Sequence, residues 1–435
     1  MFSFILVLVI ENLIRVAAYA TDPQLLSLNR TTRPMLRKQL MGYYGQNAIA
    51  NGVDLIRGRN SRPNNDWTKY QGTLRTYCDT GYYETINLAF LNLFGGGQNH
   101  FQITFGGFNA SNYGGVYIYK GDVMESNLDN VVAGFKNMGQ HISYCQTMKK
   151  VKIVLSLGGD RVSNYSLSPG DGHRYAKLFT EMFMDNGIGF VRPFGKDVKL
   201  DGVELDIEKL DNASLWTSEL IQFVTTFRKL NPDALIAAVP QCYLNGSLNK
   251  DINLGDVISA IGDQLDYIIV QYYNNPTCSY PFDFNYNAWK ALYNGPIVVG
   301  LAGDWSSAIS GGFLEPGPLQ AVYDEIMRDP QFFGFSVYDV SSSNPPARAW
   351  SITSYANAPV SHYSRTLRKV LDGDRQGNGV DTTPGGTFET LSHRCGGSWT
   401  YANVNCSLPA CDSVLQNCEN ENWTCFSFLQ NECAL

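Results

Sequence analysis

The chain is poor in charge, with Asp, Glu, Lys and Arg making up only 17% of its 435 residues. The net charge is −7 and the isoelectric point near 5.3, which argues against nucleic acid or an anionic membrane surface as partner. Histidine is scarce: five occur, none within a motif. The acidic residues have no accompanying histidines and no glycine-rich calcium loop, so neither a metal nor another cofactor is expected. After the first residues no apolar run is long enough for a transmembrane helix, and the C-terminus is not a lipid-anchor tail. What is present is a polar composition rich in Asn and Tyr, suited to a neutral partner such as a polysaccharide.

Met1 to Ile10 is almost wholly apolar but too short to span a bilayer, and Ala18-Tyr19-Ala20 follows as an Ala-x-Ala cleavage site. Residues 1–20 therefore read as a signal peptide. Its start lacks a basic residue and Glu11 and Arg15 interrupt it, so the alternative is an N-terminal anchor. Ten cysteines agree with an oxidising destination, as do sequons at Asn29, Asn109, Asn164, Asn212, Asn245, Asn405 and Asn422. The expectation is a secreted, soluble, monomeric glycoprotein, extracellular or held at the cell wall.

The cysteines divide unevenly. Cys78, Cys145, Cys242 and Cys278 are spread through the first part, whereas Cys395, Cys406, Cys411, Cys418, Cys425 and Cys433 crowd the end. Residues 393–435 are too few to rely on an apolar core and are expected to form a small disulfide-stapled module. Six cysteines allow fifteen pairings. Their spacing contains no CxxC, which argues against zinc. Trp399, Tyr401, Trp423 and Phe426 either stack on sugar faces or form the module's own small core.

Between the ends, strands are expected at Leu40 to Tyr44, Thr85 to Leu91, Val151 to Ser156, 199–207, Ile236 to Val239, Leu265 to Gln271, Ile297 to Leu301 and Phe333 to Tyr338. Helical spacing appears at 172–187, 215–230, 283–293 and 318–328, while 95–115 reads as a polar, glycine-rich excursion. Eight buried strands alternating with helices indicate an α/β fold of the (β/α)₈ TIM-barrel type over 38–358. Residues 21–37 read as an N-terminal arm and 359–392 as a linker, ahead of the small C-terminal disulfide-rich region.

The chemistry is carried by Leu200-Asp201-Gly202-Val203-Glu204-Leu205-Asp206-Ile207-Glu208. Glu204, Asp206 and Glu208 recur with period two, so a strand places all three carboxylates on one side and the aliphatic residues on the other. Like charges so arranged destabilise a fold unless one carboxyl stays protonated near neutral pH, as a general acid must. The alternative is a solvated edge strand with chance acids.

Asp201-Gly202-Val203-Glu204-Leu205-Asp206-Ile207-Glu208 resembles the DGxDxDxE signature of family 18 glycoside hydrolases, and Ser156-Leu157-Gly158-Gly159 resembles their SxGG motif. Tyr44-Gly45-Gln46-Asn47, Asn87-Leu88-Ala89-Phe90-Leu91-Asn92, Pro240-Gln241-Cys242 and Gln271-Tyr272-Tyr273-Asn274-Asn275-Pro276 narrow the resemblance to the plant class III and fungal, hevamine-like chitinase branch. The resemblance spans residues 40–345.

That resemblance implies a secreted endochitinase, of fungal type, hydrolysing β-1,4-linked N-acetylglucosamine polymers with retention. Glu208 is then the proton donor, Asp206 orients and stabilises the substrate's N-acetyl group, and Tyr273 hydrogen-bonds that group. The acetamido oxygen replaces the usual second carboxylate as nucleophile. Glu204 and Asp201 act in support, Asp201 by organising the strand start. Tyr43, Gln46, Gln241, Gln271 and Tyr338 shape or line the sugar site. The branch also implies disulfides Cys78–Cys145 and Cys242–Cys278, each closing a loop near the catalytic face.

Two positions depart from the pattern. Glu204 stands where the signature has Asp, so any hydrogen bond to Asp206 has to be re-aimed, and Tyr338 stands where a Trp usually floors the cleaved sugar's subsite. The rival readings are a catalytically inactive carbohydrate-binding or inhibitor protein on the same barrel, and a hydrolase of N-glycans or peptidoglycan.

Overall fold

Strands such as Lys152-Ile153-Val154-Leu155-Ser156-Leu157 and Ile297-Val298-Val299-Gly300-Leu301-Ala302 are near-continuous aliphatic runs. That pattern belongs to parallel strands buried on both faces, one against helices and one against other strands. The computed structural model describes residues 37–46, 71–105, 116–120, 123–124, 129–160, 164–184, 192–209, 212–244, 254–275, 277–280, 284–304, 307–308, 310–344, 363–373 and the short pairs 389–390 and 403–404. The expected signal peptide, the arm up to residue 36, the six-cysteine module apart from 403–404, and Asn29, Asn109, Asn245, Asn405 and Asn422 lie outside these residues.

The eight parallel strands are β1 (Gln39–Tyr44), β2 (Thr85–Gly95), β3 (Lys152–Gly159), β4 (Gly202–Ile207), β5 (Leu235–Ala238), β6 (Tyr267–Gln271), β7 (Ile297–Ala302) and β8 (Phe332–Tyr338). Each pairs with the next, and β8 returns to β1 through Gln39↔Gly334 to Gly42↔Val337, closing the barrel. Among the described residues a helix follows each strand: α1 (Leu74–Asp79), α2 (Asp129–Tyr144), α3 (Asp171–Phe179), α4 (Ala213–Leu230), α5 (Gly255–Ile261), α6 (Tyr286–Leu292), α7 (Pro316–Ile326) and α8 (Tyr363–Leu371), the last preceded by a single turn of helix at Val340–Ser343. The architecture is the expected (β/α)₈ barrel, with all eight strands where the sequence places them.

The helices bury their apolar stripes against the strands. In α4, Asn212 caps the first turn by accepting from the Leu215 N–H, and Trp216, Leu220, Phe223, Val224 and Phe227 are buried. Asn164 and Asn212, the two described sequon residues, are exposed.

Three readings are corrected. The 95–115 stretch is not wholly irregular: β2 runs on to Gly95 and pairs antiparallel with His100–Thr104, which pairs in turn with Val116–Lys120. Residues 359–392 are not all linker, because Tyr363–Leu371 is α8 and packs against the barrel with Tyr363, Leu367, Val370 and Leu371 buried. Cys78–Cys145 and Cys242–Cys278 are bonded as expected, but only the second lies at the face where the strands end. Cys78 closes α1 and Cys145 follows α2, at the opposite end of the barrel where the chain turns back into β2 and β3.

A partly buried ion network ties α8 to the start of β1. Arg368 donates to both carboxylate oxygens of Glu84 at 3.0 and 3.1 Å, to both of Asp372 and to the Lys38 carbonyl, while Glu84 also accepts the Leu40 N–H. Removing Arg368 leaves Glu84 half-desolvated, with only the more exposed Arg37 beside it. Arg368→Ala is expected to cost about 2 kcal/mol, below the full buried-pair penalty because Arg37 and solvent still reach Glu84. Urea titration measures it; an unchanged midpoint refutes the tie.

Candidate active site

Alternation along β4 sends Val203, Leu205 and Ile207 into the apolar core and turns Glu204 and Asp206 into the barrel, with Glu208 just past the strand end. Burial is graded: Glu204 is 0% exposed, Asp206 4%, and Glu208 lies at the partly open mouth. Gly158 makes room for this. A Cβ there would sit 2.2 Å from the Asp206 carbonyl oxygen, and its φ of +114° is one that glycine alone adopts freely.

Two strand-end glutamines clamp the acids. Gln241 Nε2 donates to Glu208 Oε2 at 2.9 Å. Gln271 Nε2 lies 2.9 Å from Asp206 Oδ1, 3.3 Å from Glu208 Oε1 and 3.2 Å from the Val239 carbonyl, so one amide bridges both carboxyls. Gln241 and Gln271 are themselves neighbours, joined in a parallel bridge. The Cys242–Cys278 disulfide ties the exits of β5 and β6 together, and Asn285 Nδ2 and Trp289 Nε1 both donate to the Cys242 carbonyl at 2.8 Å. The clamp is thus held from behind.

Tyr273 follows β6 and lies face to face with Tyr338 at the end of β8, centroids 6.1 Å apart and planes 10° from parallel. Tyr43 meets Tyr338 edge-on at 5.9 Å. Asn274 anchors the turn behind Tyr273: its φ is 59°, its N–H donates to the Gly311 carbonyl and its Oδ1 accepts the Ser310 N–H.

Burial, then the charges of Glu208 and Glu204, raise the Asp206 pKa well above its ordinary value, with the Gln271 amide pulling the other way. Glu204 is pushed up to about 7 by burial; the hydroxyls of Ser156 and Tyr43 oppose this, although no full hydrogen bond joins them to it. Tyr273's phenol is raised by burial and then by Asp206 and Glu208.

The sign of the Glu204 effect is definite. A folded-state pKa of about 7 against an ordinary 4.5 means that the native state holds the proton more tightly, so stability is fully present below about pH 4.5 and is lost as pH rises toward 7. The difference corresponds to roughly 3 kcal/mol. Glu204→Gln is expected to flatten this decline, Asp206 keeping its own share. Urea unfolding at about pH 5 and about pH 8 tests it, and an equally steep decline in the variant would remove Glu204 as its source.

The remaining sequence-expected residues fall elsewhere. Asp201 lies at the far end of β4, where it accepts the Ile153 N–H and Gln146 Nε2 at 2.8 Å each and pairs with Lys152 at 3.0 Å. It holds the strand start and does not reach the carboxyl pair. Gln46 spends its amide on the Ala89 carbonyl at 2.7 Å and the Thr104 carbonyl at 3.4 Å, bracing the exits of β1 and β2. Sequence reasoning missed Tyr165, whose hydroxyl accepts the Glu208 N–H at 2.9 Å. Its only sequence signal is an aromatic between Asn164 and Ser166 just beyond the SxGG motif.

Chemically, the mouth offers a partly open carboxyl held by amides, a buried carboxyl beneath it and a phenol stacked on a second one. That set can move one proton and offset one developing positive charge. Among the described residues no group of His, Cys, Asp or Glu side chains could hold a metal ion, and no helix is long and apolar enough to cross a membrane.

Known proteins resemble this chain over the same stretch of barrel. Chitinase 2 of Rhizopus oligosporus is 29% identical over 323 residues, 70% of this chain and 49% of that protein, so the chain spans about half that relative's length. An acidic endochitinase of Cicer arietinum is 29% identical over 278 residues, 62% of this chain and 82% of the relative. Among solved structures, a xylanase and α-amylase inhibitor protein from Scadoxus multiflorus has 25% identity and a TM-score of 0.53, covering 72% of this chain and 97% of that one. The family model for glycosyl hydrolases family 18 matches residues 40–307, the stretch that builds the barrel from β1 to β7 and holds the acid pair, and the chain belongs to that family.

Proposed function

We propose that the protein is a secreted endochitinase that cleaves β-1,4-linked N-acetylglucosamine polymers by a substrate-assisted, retaining route. The observation that carries this is the hydrogen-bonded chain Gln241–Glu208–Gln271–Asp206 at the mouth of the barrel. Glu208, nearest solvent, gives its proton to the glycosidic oxygen as the C1–O bond breaks. The acetamido carbonyl oxygen closes onto C1, forming a cyclic oxazolinium. Asp206 offsets the positive charge that develops there, and Tyr273 donates to the acetamido group. Water then adds to C1 as the C1–acetamido oxygen bond breaks and the acetamide re-forms, and the water loses its proton to Glu208, which restores the acid. A second carboxylate nucleophile is not needed, since the substrate brings its own.

The residues about 38–373 form the catalytic unit in this reading, preceded by a cleaved leader and followed by a six-cysteine appendage that retains the enzyme on insoluble chitin. Purified protein is expected to shorten a chitin pentamer. The second reading, an inhibitor or binder on the same barrel, is favoured by the likeness to the Scadoxus inhibitor and by Glu204 and Tyr338. Binding of the pentamer without cleavage would decide for it.

Tyr338 floors the subsite of the cleaved sugar, taking the role of a larger indole. Tyr338→Ala removes the ring stacked on Tyr273, and kcat/KM on N-acetylated oligomers is expected to fall about tenfold, the worth of one aromatic contact. The melting temperature should change little, because Tyr338 is only partly buried. A full-rate variant removes the stack from the account of turnover.

A further inference from the structure

Glu208 is the first residue past the sheet. β4 pairs with β3 up to Ile207 and with β5 only up to Leu205, so neither ladder extends to the Glu208 backbone. A proton donor that must sit within a few tenths of an ångström of a glycosidic oxygen is thereby carried on backbone outside the strand register. Its N–H is instead taken by the Tyr165 hydroxyl oxygen at 2.9 Å, and that hydroxyl donates to the Gly159 carbonyl at 3.3 Å. One phenol thus spans the ends of β3 and β4 at the point where both ladders stop.

The phenol is itself fixed. Tyr165 is 1% exposed, its short strand Asn164–Ser166 pairs with β2 at Leu93–Gly95, and its ring stacks on Phe94 at 5.5 Å and 14°. Trp216 of α4 packs against it at 5.9 Å, and Lys209 Nζ lies 4.9 Å from the ring centroid. The ring is anchored in the core while the hydroxyl reaches the mouth. Burial raises the phenol's pKa, so it remains a neutral acceptor and donor through any working pH.

We infer that Tyr165 is a positioning residue for the general acid, acting through the Glu208 backbone rather than on the substrate. The inference rests on the chitinase reading for its kinetic consequence but not for its structural one. Tyr165→Phe keeps the stacked ring and removes only the hydroxyl, so the fold is retained. On a chitin pentamer, kcat is expected to fall about tenfold with KM within about twofold, as expected when a contact that matters in the transition state is lost.

The backbone is read separately. In ¹⁵N-labelled protein the Glu208 amide should shift and lose protection from hydrogen exchange in Tyr165→Phe, whereas amides within β4 should not. Tyr165→Leu, which also removes the stack on Phe94, should lower the melting temperature as well. Wild-type kcat in Tyr165→Phe with an unmoved Glu208 amide overturns the inference and leaves the chitinase reading standing. If the wild-type protein cleaves no oligomer, the chitinase reading fails; the amide measurement still decides whether Tyr165 holds Glu208.

Discussion

Replacing Glu208 with glutamine is expected to lower turnover of chitin oligomers by about 10³-fold while leaving their binding within a few-fold. The side chain keeps its length, and its carbonyl can still accept from Gln241, as the carboxylate does at 2.9 Å. What is lost is the only feature the leaving oxygen needs, an acidic proton. Single-turnover rates and calorimetric binding on the same preparation separate the two effects. A rate near wild type would show that Glu208 is not the acid. A collapse of binding would show that the substitution disturbs the clamp rather than the chemistry.

Asp206→Asn is expected to cost about 100-fold in kcat, the scale of one preorganised electrostatic group at a transition state. The amide matches the carboxyl in shape and meets the same Gln271 amide, 2.9 Å from Asp206 Oδ1 in the native protein. It can never become negative. Burial and the charges of Glu208 and Glu204 raise the Asp206 pKa, and in the proposed mechanism its carboxyl is what offsets the positive charge growing on the substrate. The loss should therefore appear in kcat more than in KM. Wild-type kcat in the variant would assign the charge-offsetting role elsewhere.

The eight strands were legible because parallel barrel strands, buried on both sides, appear as aliphatic runs that need no partner to be recognised. The acid series was legible because period two in a strand is a local property of Glu204, Asp206 and Glu208. What local pattern could not supply was pairing at a distance. α8 carries Arg365, Arg368 and Lys369 among its apolar positions and looks like linker until Glu84 arrives from elsewhere to pair with Arg368. The strand His100–Thr104 has only Phe101 and Ile103 turned inward, too few to stand out in a polar stretch. The positions of Gln241 and Gln271 at strand ends were readable, but their amides point to the carboxyls, a matter of side-chain direction. The Cys78–Cys145 pairing was correct while its location was not, since the bond joins the ends of helices rather than strand exits.

Glu204 alters the chemistry of the site without removing it. Its longer side chain forms no hydrogen bond with Asp206 and is buried with the unpartnered hydroxyls of Tyr43 and Ser156. It acts on Asp206 through charge alone, as one of the causes that raise its pKa. The family's acid series is thus retained in electrostatics even where its hydrogen bonding changes.

The decisive measurement is the anomeric form of the first products released from a chitin pentamer by the purified protein, with Glu208→Gln as the paired control. Substrate-assisted catalysis through Glu208 predicts β-anomers in the earliest products and none from the variant. Early α-anomers would contradict retention, and undiminished cleavage by the variant would contradict Glu208 as the acid. Pentamer binding without cleavage by the wild-type protein would make this barrel a binder.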